Sequence, residues 1–194
     1  MVDEENQVIL IIDDQVELVE TYKGSLEDNY SVRVATDGPE GLAKFDADVD
    51  VVLLDRKMPG MSGEEVLTQL RASDVNCRVV MVTAVEPDLD LLSMNFDEYL
   101  VKPVSGTDLR NVVKRMLARN ALEEHLQATF AVSTKLATIE EKLSADQLAQ
   151  SQEYHDLLDE FESRRSGDVI QEAMTEGFSA ATLEKLELLL DKGH

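Results

Sequence analysis

Three short apolar runs and a fourth segment, residues 98–101, are each followed by a polar residue. Residues 8–12 precede Asp13 and Asp14, residues 51–54 precede Asp55, residues 79–82 precede Thr83, and residues 98–101 precede Lys102. Runs of this length, bounded by turn residues, predict buried strands of a parallel sheet. Because parallel strands end at the same edge of a sheet, we expect three carboxylates, a hydroxyl and an amine to meet there.

Segments with helical periodicity separate the predicted strands. They cover residues 16–27, 39–45, 64–72 and 87–95, and residues 31–35 supply a further strand. This five-fold alternation predicts an α/β fold, with helices on both faces of a doubly wound, five-stranded parallel sheet. The third strand of that sheet carries Asp55 at its end.

The predicted cluster of acids suits a divalent cation. The carboxylates of Asp13, Asp14 and Asp55 repel one another unless a cation lies among them, and an all-oxygen donor set fits Mg²⁺. With the metal bound, Asp55 can attack a phosphoryl group. Lys102 can then neutralise the phosphoryl oxygens, and the Thr83 hydroxyl can donate a hydrogen bond to one of them. The product is an aspartyl phosphate.

Each of these residues also has an ordinary structural interpretation. An Asp after a strand is commonly a turn former or a helix N-cap. A Thr at a strand end commonly packs against its neighbours, and a Lys is commonly a solvated charge. The functional interpretation therefore depends on the joint pattern, in which all five groups are expected at one edge of the sheet.

The whole pattern resembles a known family, the receiver domain of two-component response regulators. The acid pair, the Asp-x-x-x-Pro-Gly loop, the Thr and the Lys-Pro pair follow one another in that order within residues 6–120. The resemblance implies a flavodoxin-like fold, Asp55 as the phosphoacceptor, and a histidine kinase as the partner that supplies the phosphoryl group. It also implies that Asp14, Asp55 and the backbone carbonyl of Lys57 bind Mg²⁺ directly, whereas Asp13 acts mainly through a metal-bound water.

The resemblance assigns two further features near the end of the fifth strand. Tyr99 matches the aromatic residue that swings inward when Thr83 moves toward the phosphoryl group. The Lys102-Pro103 bond matches an X-Pro bond that the family holds in the cis form. We therefore expect a cis bond at this position and a switch that involves Thr83 and Tyr99.

A second class of protein, the haloacid-dehalogenase-type phosphatases, also uses an Asp nucleophile after a strand together with Mg²⁺. That family carries a second Asp two residues beyond the nucleophile, where it serves as general acid and base. This chain has Lys57 at that position. Without a proton-transfer group the aspartyl phosphate is expected to hydrolyse slowly, which suits a switch and not a turnover enzyme.

The net charge of −22, from 40 acidic and 18 basic residues, is extreme for a chain of 194 residues. Molar salt shortens the Debye length to about 3 Å and so removes most of the repulsion between these charges. The composition therefore indicates a protein of a salt-accumulating halophile. The alternative interpretation is an ordinary acidic protein. The acidic N-terminus and the lack of an apolar stretch of ~20 residues predict a cytoplasmic protein without a secretory signal or membrane helix. Cys77 is the single cysteine, which excludes internal disulfides.

We predict that the receiver covers residues 1–120 and that an all-α domain covers residues 121–194. Residues 107–166 contain neither Gly nor Pro. The fifth helix, which begins near Ser105, is therefore expected to continue from the first domain into the second. Apolar residues recur along it at Leu122, Leu126 and Phe130 and, with coiled-coil spacing, at Val132, Leu136, Ile139 and Leu143.

A capping box at residues 144–147 predicts the second helix of a hairpin, which Gly167 ends. Two short helices are expected after it, with Asp168 and Ser179 as their caps. A helical hairpin of this kind after a receiver resembles the HalX domain of haloarchaeal regulators. The resemblance names the domain and leaves its task open.

Two kinds of output stay open at this point. One is transcription regulation, through promoter DNA or a partner in the transcription machinery; the other is a phosphorelay or adaptor protein that acts only through protein contacts. Ala173, Gly177 and Leu183 have the spacing of a helix-turn-helix, but the acidic Glu172 and Glu176 occupy positions that should be buried. A homodimer is a further arrangement that we consider.

Overall fold

The computed structural model describes residues 7–73, 75–87 and 89–165. The chain divides into two compact units, with the boundary between Leu117 and Ala118. The first unit contains a single parallel sheet, and the described part of the second unit is helical.

Five parallel strands form the sheet in the order β2-β1-β3-β4-β5. They are β1 (Val8–Ile12), β2 (Ser31–Ala35), β3 (Val49–Leu54), β4 (Arg78–Thr83) and β5 (Glu98–Val101). All five predicted strands are confirmed within one or two residues at their starts. The order places β1, β3 and β4 inside the sheet, and their nearly continuous apolar sequences agree with burial on both faces.

Helices cover both faces of the sheet because alternate strand residues point to opposite sides. They include α1 (Val16–Leu26), α2 (Gly38–Lys44) and α3 (Gly63–Ala72). On one face, Ile9 and Ile11 belong to a core that includes residues of α1; on the other, Leu10 and Ile12 pack with residues of α3. The doubly wound α/β fold is therefore confirmed.

The predicted fourth helix, over residues 87–95, is wrong in type. Between β4 and β5 the described residues form a single 3₁₀ helix, Leu89–Ser93. Leu89 and Leu92 are 83% and 86% exposed, so the segment buries no continuous apolar stripe that could support an α-helix. A spacing of three residues also places these two side chains above one another in a 3₁₀ helix.

The predicted long helix is confirmed as α4 (Gly106–Lys142), which is 37 residues long. The capping box at Ser144 is also confirmed and begins α5 (Ala145–Ala149). The helix expected to continue to Gly167 is instead broken, and α6 (Gln152–Arg165) follows as a separate element. Ser151 explains the break, because its hydroxyl accepts a hydrogen bond from the Tyr154 backbone N–H, as a helix N-cap does.

Two side-chain hydrogen bonds hold α6 alongside the second half of α4. The Tyr154 hydroxyl donates to Glu140 Oε1 at 2.7 Å, and His125 Nε2 lies 2.8 Å from the Arg164 carbonyl oxygen. The first bond lies near the turn and the second near the far end of α6, so the two helices run in opposite directions. The helical hairpin predicted from the sequence is present in the described residues.

The buried seam of the hairpin differs from the predicted one at two positions, Phe130 and the terminal Leu143, which is 42% exposed. Leu122, Thr129 and Leu136, seven residues apart, are buried, whereas Phe130 is 74% exposed. Heptad spacing from Leu122 reaches position 129 and not position 130, which explains the shift. The Thr129 hydroxyl donates to the His125 carbonyl oxygen at 2.7 Å, so its burial leaves no hydroxyl proton unsatisfied.

Several predicted features lie outside the described residues: the helices after Gly167, their caps Asp168 and Ser179, and the helix-turn-helix spacing around Gly177. Within the part of the chain that the structure describes, no helix combines the length and apolar character needed to cross a membrane.

A buried ionic network fixes β5 at the edge opposite to the predicted site. Asp97, which precedes β5, accepts hydrogen bonds from Arg71 at 2.6 Å, Arg78 at 2.8 Å and the Val79 backbone N–H at 2.8 Å. Burial raises the pKa of Asp97, but the hydrogen bonds from Arg78 and Val79 outweigh burial and hold the pKa below its ordinary value. Asp97 therefore ties together α3, β4 and β5.

We expect Asp97→Ala to lower the free energy of unfolding by about 3 kcal/mol, because it removes the buried carboxylate that pairs with both Arg71 and Arg78. The control is Asp48→Ala, since Asp48 is exposed and lies 3.8 Å from Arg33; such a pair contributes about 0–1 kcal/mol. Because the pKa of Asp97 is depressed in the fold, its contribution is present above the unfolded pKa and is lost as pH falls through the folded pKa. Urea unfolding between pH 7 and pH 2 in molar KCl measures both effects, and equal losses in the two variants would contradict the assignment.

Candidate functional site

The sheet brings the predicted acids together at the carboxyl ends of its two central strands. Ile12 of β1 lies opposite Leu54 of β3, and the backbone N–H of Asp55 donates to the Ile12 carbonyl oxygen at 2.9 Å. Asp13 and Asp55 therefore leave adjacent strands at the same level. One carboxylate oxygen from each of Asp13, Asp14 and Asp55 lies within 4.8 Å of the others.

The three acids differ in burial. Asp13 and Asp55 are only 2% and 5% exposed, whereas Asp14 is less buried. The backbone N–H of Gln15 donates to Asp13 Oδ1 at 3.0 Å and so restricts the orientation of that carboxylate. The cluster thus combines two buried carboxylates with one that faces the outer side of the site.

Lys102 supplies a positive charge between the two buried acids. Its ammonium lies 2.6 Å from Asp13 Oδ2 and 3.2 Å from Asp55 Oδ2, and its side chain is 8% exposed. The Lys102 backbone N–H donates to the Thr83 carbonyl oxygen at 2.8 Å, which continues the β4–β5 ladder by one residue. The Lys102-Pro103 peptide is cis, as expected.

Burial and ion pairing have opposite effects on the pKa values of Asp13 and Lys102. Burial raises the pKa of Asp13, and the hydrogen bonds from Lys102 and Gln15 offset this only in part. Burial alone would lower the pKa of Lys102, but its hydrogen bond to Asp13 and the charges of both carboxylates outweigh burial and raise the pKa. Lys102 is accordingly held as a cation at neutral pH.

The donor set fits a magnesium ion. Asp55 Oδ1 is buried and has no hydrogen-bond partner, although an unpaired buried carboxylate oxygen is costly. Lys102 balances only one of the three acidic charges, so the cluster attracts a further cation. All the available donors are oxygens, and the partly open side at Asp14 leaves access for the water ligands that Mg²⁺ retains.

Thr83 and Tyr99 both form hydrogen bonds with the backbone of Val85. Thr83 is buried at the end of β4, and its hydroxyl oxygen accepts a long hydrogen bond, 3.4 Å, from the Val85 backbone N–H. The Tyr99 hydroxyl donates to the Val85 carbonyl oxygen at 2.7 Å. The two predicted switch residues are therefore linked through the backbone of Val85.

The loop after Asp55 is shaped by two glycines. Gly60 has a positive φ of 78°, a conformation that side chains rarely adopt. A Cβ atom on Gly63 would lie 2.0 Å from the Asp55 carbonyl oxygen, so α3 begins directly against the backbone of Asp55. Lys57 is exposed within this loop.

Sequence reasoning missed the supporting role of Arg56 and Gly63. Arg56 is buried, and its Nε donates to Glu64 Oε1 at 2.6 Å, while the Gly63 backbone N–H donates to the Arg56 carbonyl oxygen at 2.9 Å. These bonds join the residue after Asp55 to the first turn of α3. The Ser62 to Glu65 capping box, which the structure contains, was the sequence signal for the start of this helix.

The comparisons with known proteins agree with this geometry. Residues 9–114 match the family model of the response regulator receiver domain, and residues 118–182 match the model of the HalX domain. The first match covers more than half of the chain. The protein therefore belongs to the response regulator receiver family and carries a HalX domain after its receiver.

Three similar proteins illustrate this relationship. A Haloferax volcanii protein named "Putative transcriptional regulator" is 38% identical over 161 residues, which cover 82% of this chain and 28% of that protein. The sensory transduction protein RegX3 of Mycobacterium tuberculosis is 39% identical over 116 residues, or 57% of this chain and 51% of that protein. The solved structure of the response regulator TrrA from Thermotoga maritima, in complex with Mg²⁺ and BeF, has 34% identity and a TM-score of 0.51, and the match covers 57% of this chain and 99% of that chain.

The chain thus spans only part of the length of the two curated relatives, 28% in one and 51% in the other. Their names place these relatives in signalling and transcriptional regulation. The match of the RegX3 protein is consistent with two-component signalling by the receiver of this chain.

We expect Gly63→Ala to destabilise the first unit by about 3 kcal/mol, because the added methyl group cannot fit beside the Asp55 carbonyl oxygen without moving the loop. The matched control is Gly24→Ala in α1, where a Cβ atom has open space; removing a helical glycine there should stabilise the protein by about 0.5–1 kcal/mol. Urea unfolding of both variants decides the point. A Gly63→Ala variant as stable as the parent would show that the close approach is not a constraint.

Proposed function

We propose that this protein is a two-component response regulator that a histidine kinase phosphorylates on Asp55 in a Mg²⁺-dependent reaction. The observation that carries the proposal is the environment of the Asp55 carboxylate. One oxygen, Oδ2, lies 3.2 Å from Lys102, while the other, Oδ1, is buried without a partner. A carboxylate held on one side and free on the other can act as a nucleophile.

The proposed reaction transfers a phosphoryl group from a kinase histidine to Asp55. A carboxylate oxygen of Asp55 forms the new bond to phosphorus, and the bond from phosphorus to the histidine nitrogen breaks. Lys102 neutralises the phosphoryl oxygens, and the Thr83 hydroxyl donates to one of them once it has turned from Val85. Bound Mg²⁺ would supply further neutralisation of the carboxylates and the phosphoryl group.

Within this proposal the metal ligands are Asp14, Asp55 and the backbone carbonyl of Lys57. Asp13 would act on the ion indirectly, through water. The geometry supports this difference, because Asp13 Oδ2 is 2.6 Å from Lys102 and Asp13 Oδ1 is bonded to the Gln15 N–H. Both oxygens of Asp13 are already engaged. The TrrA structure, which contains Mg²⁺ and BeF, supports the same type of site.

We further propose that the aspartyl phosphate serves as a signal and that the protein is not a turnover enzyme. The position two residues after Asp55 holds Lys57, which offers no carboxylate for proton transfer. The link from Thr83 through Val85 to Tyr99 supports a switch in which movement of Thr83 alters the position of the Tyr99 hydroxyl.

For the output we propose transcription regulation, as the name of the Haloferax volcanii relative suggests. Residues 104–194 contain 10 basic and 17 acidic residues, a balance that does not favour contacts with DNA phosphates. A partner in the transcription machinery therefore suits the HalX domain better than promoter DNA does. The same charge balance supports the alternative, an adaptor that acts only through protein contacts.

We expect Asp55→Asn to abolish labelling by acetyl phosphate in the presence of Mg²⁺, because an amide oxygen is a poor nucleophile at phosphorus. The fold should be retained, since the amide has the size of the carboxylate. Asp48→Asn, at an exposed acid remote from the cluster, is the control and should label like the parent. Phosphate incorporation measured by intact mass, with circular dichroism as a check of folding, tests the assignment. Labelling of Asp55→Asn at the parental rate would refute it.

The metal site gives a separate prediction. We expect Asp14→Ala to weaken Mg²⁺ binding more than Asp13→Ala, because Asp14 is the proposed direct ligand; loss of an outer-shell partner costs about tenfold in affinity. Titration calorimetry of both variants at one KCl concentration measures the order. Equal losses would contradict the proposed difference between the two acids, and a reversed order would indicate that Asp13 contacts the ion directly.

A further inference from the structure

An uncharged strip on α4 lies opposite the buried seam of the hairpin. The six side chains that form it are Gln127, Phe130, Ala131, Thr134, Ala137 and Thr138. Their spacing of three and four residues places them on one face of the helix, and Phe130, at 74% exposure, lies near its middle. We call this surface the α4 strip. Among the described residues of the second unit, Phe130 is the aromatic residue whose side chain is exposed to solvent.

The α4 strip is free of acidic residues in a chain that is otherwise rich in them. Between His125 and Ile139 there is no Asp or Glu, and Lys135 is the single charged residue, although the chain holds 40 acids in 194 positions. Acidic residues flank this stretch of α4 on both sides: Glu123 and Glu124 precede it, and Glu140 and Glu141 follow it. The exposed phenylalanine therefore lies among neutral side chains.

The two threonine hydroxyls of the strip already donate hydrogen bonds within the helix. The Thr134 hydroxyl donates to the Phe130 carbonyl oxygen at 2.9 Å, and the Thr138 hydroxyl donates to the Thr134 carbonyl oxygen at 2.8 Å. Because both hydroxyl protons are already bonded, burying these two threonines against a partner carries little desolvation cost. The strip is thus suited to burial.

We propose that the α4 strip is a homodimer interface, in which the strips of two copies pack antiparallel about a two-fold axis near Thr134. The charge pattern selects this occupant. Nucleic acid needs basic residues that the strip lacks, and two copies of a chain with a net charge of −22 repel each other less where both surfaces are free of acids. A two-fold axis presents each copy with the same neutral surface.

The position of the axis follows from the acids at the ends of the strip. With the axis at Thr134, Glu141 of one copy faces Gln127 of the other, so no acid meets an acid along the strip. The same axis places Phe130 opposite Thr138, where the small residues leave room for a ring. An axis near residue 132 would instead oppose Glu124 to Glu140, which is unfavourable.

The resulting dimer is expected to be weak and reversible. Fifteen helical residues span about 22 Å, and two such strips bury less than the roughly 1,000 Å² of a stable interface. This association does not depend on Asp55, and its test is independent of phosphorylation.

Sedimentation equilibrium of the full-length protein in molar KCl tests the proposal. The mass is expected to rise from monomer to dimer with protein concentration, and Phe130→Ser should raise the dissociation constant about tenfold or more. The matched control is Leu92→Ser, at an 86% exposed leucine of the first unit, which should leave the constant unchanged. A parent protein that stays monomeric at all concentrations, or dissociation by Leu92→Ser and not by Phe130→Ser, overturns the proposal.

Cysteine cross-linking tests the orientation of the helices. The native Cys77 is buried, and the parent protein serves as its control. Thr134→Cys, on the axis, should form a covalent dimer under mild oxidation, whereas Glu124→Cys should not, because the two copies of residue 124 lie about 30 Å apart. Cross-linking of Glu124→Cys as readily as Thr134→Cys would exclude the antiparallel arrangement.

Discussion

The parallel pairing of β1 with β3 is the constraint on which the site depends. It places Asp13 and Asp55 side by side in a buried position, where two carboxylates repel each other strongly. The Lys102 ammonium offsets this repulsion at 2.6 and 3.2 Å from the two acids. Because Lys102 follows β5, two strands away from β3, the register of β4 and β5 matters to the site as much as that of β1 and β3.

The ionic network around Asp97 therefore supports the acidic site, although it lies at the opposite edge of the sheet. Asp97 fixes the start of β5 to β4 and to α3 at the edge of the sheet opposite to the acids. Only four residues, Glu98–Val101, separate this anchor from Lys102. The short strand is therefore held at both ends, by the ionic network before its start and by the contacts of Lys102 after its finish.

Much of the fold and of the site could be predicted from the sequence because apolar runs that end on polar residues define both. The strand ends at Asp13, Asp55 and Thr83 lie where those runs predict. Two of the features that were missed have different causes, because heptad spacing from Leu122 reaches Thr129, whereas no local pattern records the packing of Gly63. Burial of Thr129 in place of Phe130 follows from that spacing, and the close approach of Gly63 to Asp55 joins residues that are neighbours only in the folded chain.

Concentrated salt affects the exposed charges and the buried charges of this protein differently. A Debye length of about 3 Å at molar salt removes most of the interaction between exposed charges, such as Arg33 and Asp48 at 3.8 Å. Buried pairs are screened much less, so the contacts of Lys102 with Asp13 and Asp55 persist. Screening also lowers the repulsion that a net charge of −22 imposes on two copies in contact. The same salt that leaves the acidic site intact therefore favours contact through the neutral α4 strip, which contains no acidic residue.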